Sequence, residues 1–104
     1  MLQVKRAKKF LKDMEKIKRG FKKSTFQRIE ARLSEAIECL ANNKPLDKSF
    51  DNHDLHNCKS FTDCCDCHIL GDLILIYKIE GNSCQLLTLM RIGNHNEILE
   101  EIEP

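Results

Sequence analysis

The sequence predicts an α+β domain in which two N-terminal helices pack on a small, mostly antiparallel sheet, followed by a short C-terminal helix. Two observations carry this prediction. Apolar residues recur at helical spacing between residues 7 and 40, and three apolar runs separated by turn residues follow between residues 64 and 92. A chain of 104 residues can bury one modest core, so residues 1–104 are expected to form a single domain.

The N-terminal part predicts a short strand and then a helix. Leu2 and Val4 alternate with polar neighbours, which is typical of a strand over residues 2–5. A helix is expected over residues 7–19, with Gly20 at the position after its last turn. The apolar residues on one face of this helix are Phe10, Met14 and Ile17.

A second, more strongly amphipathic helix is expected to begin near Ser24, where Ser24 and Gln27 match a capping box, and to end at Asn42 and Asn43. Its apolar positions are Phe26, Ile29, Leu33, Ala36, Ile37 and Leu40. Residues 42–62 show no sustained period and are predicted to form a long loop, which is unusual in a small domain unless the loop is functional. The loop contains His53, His56 and Cys58.

The second half predicts an antiparallel meander of three strands over residues 64–69, 73–79 and 84–92. Gly71 and Asp72 form the first turn and Gly81 marks the second. The middle run has Lys78 as its one polar residue, which indicates a strand buried on both faces. A short helix over residues 95–101 is expected to follow, with Asn94 as its cap.

In such a meander the end of the first strand, the start of the second and the end of the third lie at one edge of the sheet. His68, Asp72, Arg91 and His95 occupy these places. Imidazoles beside a carboxylate and a guanidinium suit RNA cleavage by transesterification, which needs a base for the 2′-OH, an acid for the leaving 5′-oxygen and a cation for the phosphorane. The residue types alone leave this interpretation about even with structural histidines.

Charge is divided between the two parts of the chain. Residues 1–32 hold twelve Lys and Arg against three acidic residues, whereas the remainder holds five against thirteen. The basic part either faces a polyanion or is simply a solvated surface. The sequence has no apolar run of membrane-spanning length and no signal-peptide core near its start, so a cytoplasmic protein without membrane contact is expected.

The six cysteines raise a rival interpretation, a small zinc-binding protein. Cys64 and Cys67 have CxxC spacing, but on a strand these two side chains point to opposite faces and cannot share a metal. Cys65 and Cys67 share a face and are expected to pack as small apolar residues. No metal ligand and no cofactor are therefore predicted, and the thiols are expected to be reduced.

Several motifs occur in a fixed order. A carboxylate, Asp72, follows His68 by four positions. The motifs are Pro45-Leu46, His53-Asp54-Leu55, Asp66-Cys67-His68, Leu75-Ile76-Tyr77-Lys78-Ile79 and Arg91-Ile92-Gly93-Asn94-His95. Together they resemble the YafQ branch of the RelE/ParE superfamily, the toxin ribonucleases of bacterial type II toxin–antitoxin systems.

The resemblance implies a RelE-like fold and a metal-independent mRNA endoribonuclease that acts in the ribosomal A site. It implies that His53 and His68 hold the ribose and phosphate and that Arg91 steadies the scissile phosphate. It makes His95 the general acid, with the base left open between Asp72 and His68. Its expected partners are a cognate antitoxin, mRNA and the ribosomal RNA, with operator DNA bound only by the toxin–antitoxin complex.

The chain departs from the family pattern at several places. Cys65 replaces the arginine of the RDCH motif, the sequence has no tryptophan, and Leu99 replaces the aromatic residue that closes the family's C-terminal motif. If that ring stacks on a substrate base, Leu99 contacts the base less effectively. These departures motivate an alternative, a catalytically attenuated binding module on the same scaffold.

Overall fold

The structure of the chain, a computed structural model, describes residues 1–55, 64–81 and 83–102, with side chains described as far as Ile98. Within these ranges the chain forms one sheet, three α-helices and a 3₁₀ turn. The elements are β1 (Gln3–Arg6), α1 (Lys8–Gly20), α2 (Lys23–Ala41), the 3₁₀ turn (Lys48–Phe50), β2 (His53–Asp54), β3 (Cys65–Leu70), β4 (Leu73–Glu80), β5 (Leu86–Asn94) and α3 (His95–Ile102).

The strands are ordered β1-β5-β4-β3-β2 across the sheet. The β3-β4-β5 meander is antiparallel, as predicted, and β2 also pairs antiparallel with β3. β1 is parallel to β5, with Gln3 opposite Leu86. The α+β class and the mostly antiparallel sheet are therefore confirmed.

Both N-terminal helices cover one face of the sheet, with α1 against β5 and α2 against β3. The main core lies between these layers because the apolar stripes of the helices meet alternate residues of the strands. Its largest fully buried side chains are Phe10, Ile29, Phe50, Ile69, Leu75, Leu87, Leu89 and Ile92.

The opposite face of the sheet carries a smaller buried cluster, to which α3 contributes one side chain. Its members are Cys64, Ile74, Ile76 and Ile98. Leu75 and Tyr77 belong to the main core, so β4 is buried on both faces as its apolar run predicts. Cys64 and Cys67 lie in different clusters, which confirms that the CxxC spacing straddles the sheet.

Two helix-end predictions are wrong. Gly20 was expected to follow the last turn of α1, but it is the last residue of the helix and does not have a positive φ. The helix ends at Phe21, which is the C-cap and has an extended conformation (φ −116°, ψ 154°). The first turn of α2 is closed by the Phe26 N–H donating to the Lys22 carbonyl at 2.9 Å. Lys22 is consequently the N-cap, so Ser24 lies inside the helix and the capping box does not form.

The predicted loop over residues 42–62 contains regular structure where it is described. The 3₁₀ turn depends on Asp47, whose carboxylate accepts hydrogen bonds from the N–H and hydroxyl groups of Ser49. β2 forms because two residues pair with β3. Neither feature produces a periodic pattern, which explains why the sequence predicted only a loop. Within the described ranges, no helix has the length and apolar character needed to cross a bilayer.

Candidate functional site

Strand pairing gathers histidines on the sheet face that α1 and α2 leave uncovered. His53 is opposite Asp66, and Asp66 is opposite Ile76 on the next strand. His68 is likewise opposite Ile74. Residues directly opposite each other project to the same face of a sheet, so His53, Asp66 and His68 share the face of the smaller cluster.

His95 joins this face as the first residue of α3. Its N–H donates to the Asp72 carbonyl at 2.8 Å, which ties the start of the helix to the β3-β4 turn. Asn94 accepts a hydrogen bond from the Asn96 N–H at 3.0 Å, so the predicted cap is present. The ring centroids of His95 and His68 are 6.3 Å apart. The convergence of these two histidines is therefore observed.

Asp66 lies among the histidines and is buried. Its Oδ1 atom makes no hydrogen bond among the described residues, and His53 Nδ1 lies 3.7 Å from it. Burial raises the pKa of the Asp66 carboxyl, and positive charge on His53, His68 and His95 opposes this rise. The carboxyl and the three imidazoles therefore form one electrostatically coupled group.

A second carboxylate, that of Asp51, faces two of the histidines from the end of the 3₁₀ turn. Its Oδ1 is 3.4 Å from His53 Nε2, and its Oδ2 is 3.7 Å from His68 Nε2. Asp51 adopts a left-handed backbone conformation (φ 45°, ψ 57°), which a residue with a Cβ seldom adopts.

Arg32 of α2 fastens the 3₁₀ turn to the end of β3. Its guanidinium donates to the Ile69 carbonyl at 2.8 Å and to the His68 carbonyl at 3.3 Å. It also donates to the hydroxyl and carbonyl of Ser49 and lies 3.7 Å over the ring of Phe50. One cation thus fixes the backbone of His68 relative to the segment that carries Asp51.

Arg91 is held by Asp13 of α1. Arg91 Nε donates to Asp13 Oδ2 at 2.7 Å and Nη2 donates to Oδ1 at 3.2 Å. β1 pairs with β5 only as far as Leu89, and Asp13 Oδ2 accepts the Ile92 N–H beyond that point at 3.1 Å. Arg91 and Asp72 line a cavity of about 480 Å³ between α1, α3 and the ends of β4 and β5.

Cys65 occupies the position of the missing arginine. Its thiol donates to Asp54 Oδ1 at 3.0 Å. Burial and this carboxylate raise the thiol pKa to about 12, so the group is uncharged at neutral pH. On the neighbouring strand the buried hydroxyl of Tyr77 donates to Asn52 Oδ1 at 2.7 Å. Cys65 therefore supplies no positive charge, and its side chain lies with Tyr77 on the face of the main core, opposite the face that carries the histidines.

The structure places most of the predicted site residues and adds others. It brings His53, His68 and His95 together, joins Asp72 to His95 through the backbone, and sets Arg91 against Asp13. The Leu99 side chain lies outside the described part of the chain. His56 and Cys58 also lie outside it.

Sequence reasoning did not assign Asp51, Asp66 or Arg32 to the site. Asp66 could have been assigned from the sequence, because a residue two positions before His68 on the same strand projects to the same face as His68. The role of Arg32 had no signal in the local sequence, since its hydrogen-bond partners are 17, 36 and 37 positions away. Among the described residues no group of three or more His, Cys, Asp or Glu side chains is placed to hold a metal ion.

Comparisons with known proteins find relatives that match nearly the whole chain. The family model for YafQ, described as a bacterial toxin of type II toxin–antitoxin systems, matches residues 2–100. The YafQ toxin of Haemophilus influenzae is 35% identical over 98 residues, covering 92% of this chain and 90% of that protein.

Solved structures agree with this match. A metal-bound toxin from Helicobacter pylori is 31% identical, with a TM-score of 0.75 over 94% of this chain and 99% of that one. The Escherichia coli YafQ in complex with DinJ is 26% identical, with a TM-score of 0.72 over 94% of this chain and 98% of that one.

The fold, with two N-terminal helices on a five-strand sheet, and these matches define a bacterial toxin of a type II toxin–antitoxin system. Within that class, the chain belongs to the YafQ family.

Proposed function

We propose that this toxin is an endoribonuclease that cuts mRNA on the ribosome by attack of a ribose 2′-OH on the adjacent phosphate. The observation that carries the proposal is the gathering of three histidines around two carboxylates on one sheet face, with the His68 and His95 rings 6.3 Å apart. Imidazoles both accept and donate protons near neutral pH, which this reaction requires without a metal ion.

In the proposed reaction the 2′-oxygen bonds to phosphorus, the bond from phosphorus to the 5′-oxygen breaks, and a 2′,3′-cyclic phosphate forms. His95 protonates the leaving 5′-oxygen. The base that takes the 2′-OH proton is His68 or Asp72. His53 holds the nucleotide, and Leu99 contacts a base of the substrate.

Arg91 would stabilise the negative charge on the scissile phosphate. Its bidentate pair with Asp13 fixes the orientation of the guanidinium beside the cavity that Asp72 lines. A cation whose position is set before the substrate arrives needs no reorganisation as charge develops, which supports this role.

The proposed partners follow from charge and from the relatives. The basic residues of α1 and α2 would contact ribosomal RNA in a salt-dependent way. A cognate antitoxin would neutralise the toxin, since the Escherichia coli relative forms a complex with DinJ. Operator DNA would be bound only by the toxin–antitoxin complex.

Primer extension on a reporter mRNA in a reconstituted translation system tests the proposal. Wild type should give A-site cuts only when ribosomes are present, and His95→Ala and His68→Ala should lose at least about 100-fold in rate. Asn96→Ala, an exposed neighbour of His95, is the matched control and should cut normally. Absence of cuts by a folded wild-type toxin bound to ribosomes would refute the ribonuclease.

That last result would favour the second candidate, a non-catalytic binding module. The uncharged Cys65 thiol is the specific observation in its favour, because the resemblance predicts an arginine there. Single-turnover cleavage by wild type at saturating toxin separates the two candidates. A toxin with attenuated catalysis should give slow cuts that His95→Ala abolishes, whereas a binder should give none.

A further inference from the structure

Asp51 has no part in the reaction described above, although its carboxylate faces two of the three histidines. Its two oxygens lie 3.4 Å from His53 Nε2 and 3.7 Å from His68 Nε2. One carboxylate therefore spans the gap between a residue of β2 and a residue of β3. The Asp51 side chain is 62% exposed, so burial does not account for its placement.

The backbone of Asp51 adopts a sparsely populated conformation. Its φ of 45° and ψ of 57° lie in the left-handed region, which glycine adopts freely and which aspartate and asparagine adopt more often than other residues. Residues in sparsely populated backbone regions are commonly found at functional sites. The backbone of Asp51 therefore agrees with a role of its side chain, and the contacts of the carboxylate carry the case for that role.

The 3₁₀ turn before Asp51 is the part of the structure that holds this residue in place. Asp47 caps the turn, and Phe50 is buried in the main core beneath the guanidinium of Arg32. The same guanidinium binds the carbonyl of His68. Arg32 therefore connects the turn that precedes Asp51 to the backbone of His68, and this connection sets the distance between Asp51 and His68.

We propose that Asp51 is a positioning residue that fixes the orientation of the His53 and His68 rings. A neutral imidazole has one donor and one acceptor nitrogen, and the contact made by one nitrogen decides the role of the other. In the tautomer that carries its proton on Nε2, the nitrogen 3.7 Å from Asp51, His68 has Nδ1 as its acceptor. This arrangement makes His68 the base in the proposed reaction. The role of Asp72 is then to hold the start of α3 through its backbone carbonyl, which accepts the His95 N–H.

Other charged groups surround these rings and are part of the same arrangement. Asp66 and His95 face them from β3 and α3. Arg28 and Arg32 of α2 line a cavity of about 430 Å³ together with Asp51 and His68. Within this set, Asp51 is the carboxylate that contacts both rings at Nε2.

The first test measures ring order and needs no activity. Relaxation of the Cε1–H groups of His53 and His68 is recorded by NMR in wild type, Asp51→Gly and Asp51→Asn. Glycine adopts the left-handed backbone without strain, and asparagine adopts it more readily than most residues. We expect both rings to be ordered in wild type, mobile in Asp51→Gly and intermediate in Asp51→Asn, which keeps one acceptor oxygen.

The second test measures cleavage and rests on the proposed function. Single-turnover cleavage at saturating toxin should slow by about tenfold or more in Asp51→Gly and by less in Asp51→Asn. Positioned proton transfer accelerates a reaction by about 10²–10⁴-fold, and loss of ring order should remove part of that acceleration. The toxin concentration at half-maximal ribosome binding should not change. Glu80→Gln, an exposed carboxylate at the end of β4, is the matched control and should behave as wild type.

The two tests fail separately. Unchanged ring order in Asp51→Gly, or an unchanged single-turnover rate in a toxin that cuts, would overturn the positioning role. If wild type does not cut but the rings lose order in Asp51→Gly, the positioning role stands and the ribonuclease proposal fails.

Discussion

The pair between Asp13 and Arg91 gives a quantitative prediction about the connection between the helix layer and the site. Asp13 accepts two hydrogen bonds from Arg91 and one from the Ile92 N–H, and each side chain of the pair is 15% exposed. Asp13→Ala therefore removes the acceptor of two hydrogen bonds from the guanidinium and of one from the Ile92 N–H. Arg91→Ala leaves a carboxylate that still binds the Ile92 N–H.

The magnitudes follow from these contacts. A hydrogen bond to a charged group contributes about 1.5–3 kcal/mol, and removing one partner of a fully buried ion pair costs about 3–5 kcal/mol. At this exposure we expect Asp13→Ala to lose about 3 kcal/mol of unfolding free energy and Arg91→Ala about 2 kcal/mol. The double variant should lose about 3 kcal/mol, so the coupling between the two side chains is about 2 kcal/mol.

Urea unfolding of wild type, both single variants and the double variant measures this coupling. The pair between Lys78 and Glu80 is the control, because its atoms are 3.6 Å apart and its side chains are 29% and 54% exposed. An exposed pair of this kind should couple by no more than about 0.5 kcal/mol. A coupling between Asp13 and Arg91 as small as the control value would refute the argument that this pair is a structural connection.

Three further predictions concern the sheet, the buried carboxyl and metals. Tyr77→Phe removes the 2.7 Å hydrogen bond to Asn52 and should lower the unfolding free energy by about 1 kcal/mol in urea titrations. Burial raises the pKa of Asp66 above 3.8, so its contribution to stability is complete below that value and is lost as pH rises through the folded-state pKa. The stability of Asp66→Asn relative to wild type should therefore increase as pH rises above 3.8 and through the folded-state pKa of Asp66. Toxin treated with EDTA and dialysed before it is added to ribosomes should cut at the undiminished rate, because side chains supply the proton transfers.

Each of these three has a clear contrary result. Equal unfolding midpoints for wild type and Tyr77→Phe would mean that the Asn52 contact contributes nothing. A difference between wild type and Asp66→Asn that does not change with pH would contradict the raised carboxyl pKa. Loss of cleavage after EDTA treatment, restored by zinc or copper, would make the reaction metal-dependent.

The sequence predicted the parts of the fold that depend on local pattern. The apolar run of β4 and the turn at Gly71 identify the meander, and Asn94 identifies the start of α3. The parallel pairing of β1 with β5 could not be predicted, because alternation at Leu2 and Val4 indicates a strand but not its neighbour. The capping-box prediction failed because the helix begins at Lys23, so its N-cap is Lys22, a residue whose side chain makes no capping hydrogen bond.

The candidate site likewise contains residues that could be predicted from the sequence and residues that could not. His68 and His95 were predicted to converge because strand ends in a meander lie at one edge, and their rings do approach. Asp51 could not be predicted, since its position depends on a 3₁₀ turn that Arg32 holds from another helix. Side chains that act through distant backbone groups leave no pattern in the local sequence.

The position of β5 has a consequence for how the molecule folds. β5 lies between β1 and β4, yet Gln3 and its partner Leu86 are 83 positions apart along the chain. The earliest strand cannot be paired until the last strand has formed, so closure of the sheet is a late event with a large loop-closure cost. Folding rates should therefore depend strongly on β5, and variants in β1 should mainly accelerate unfolding.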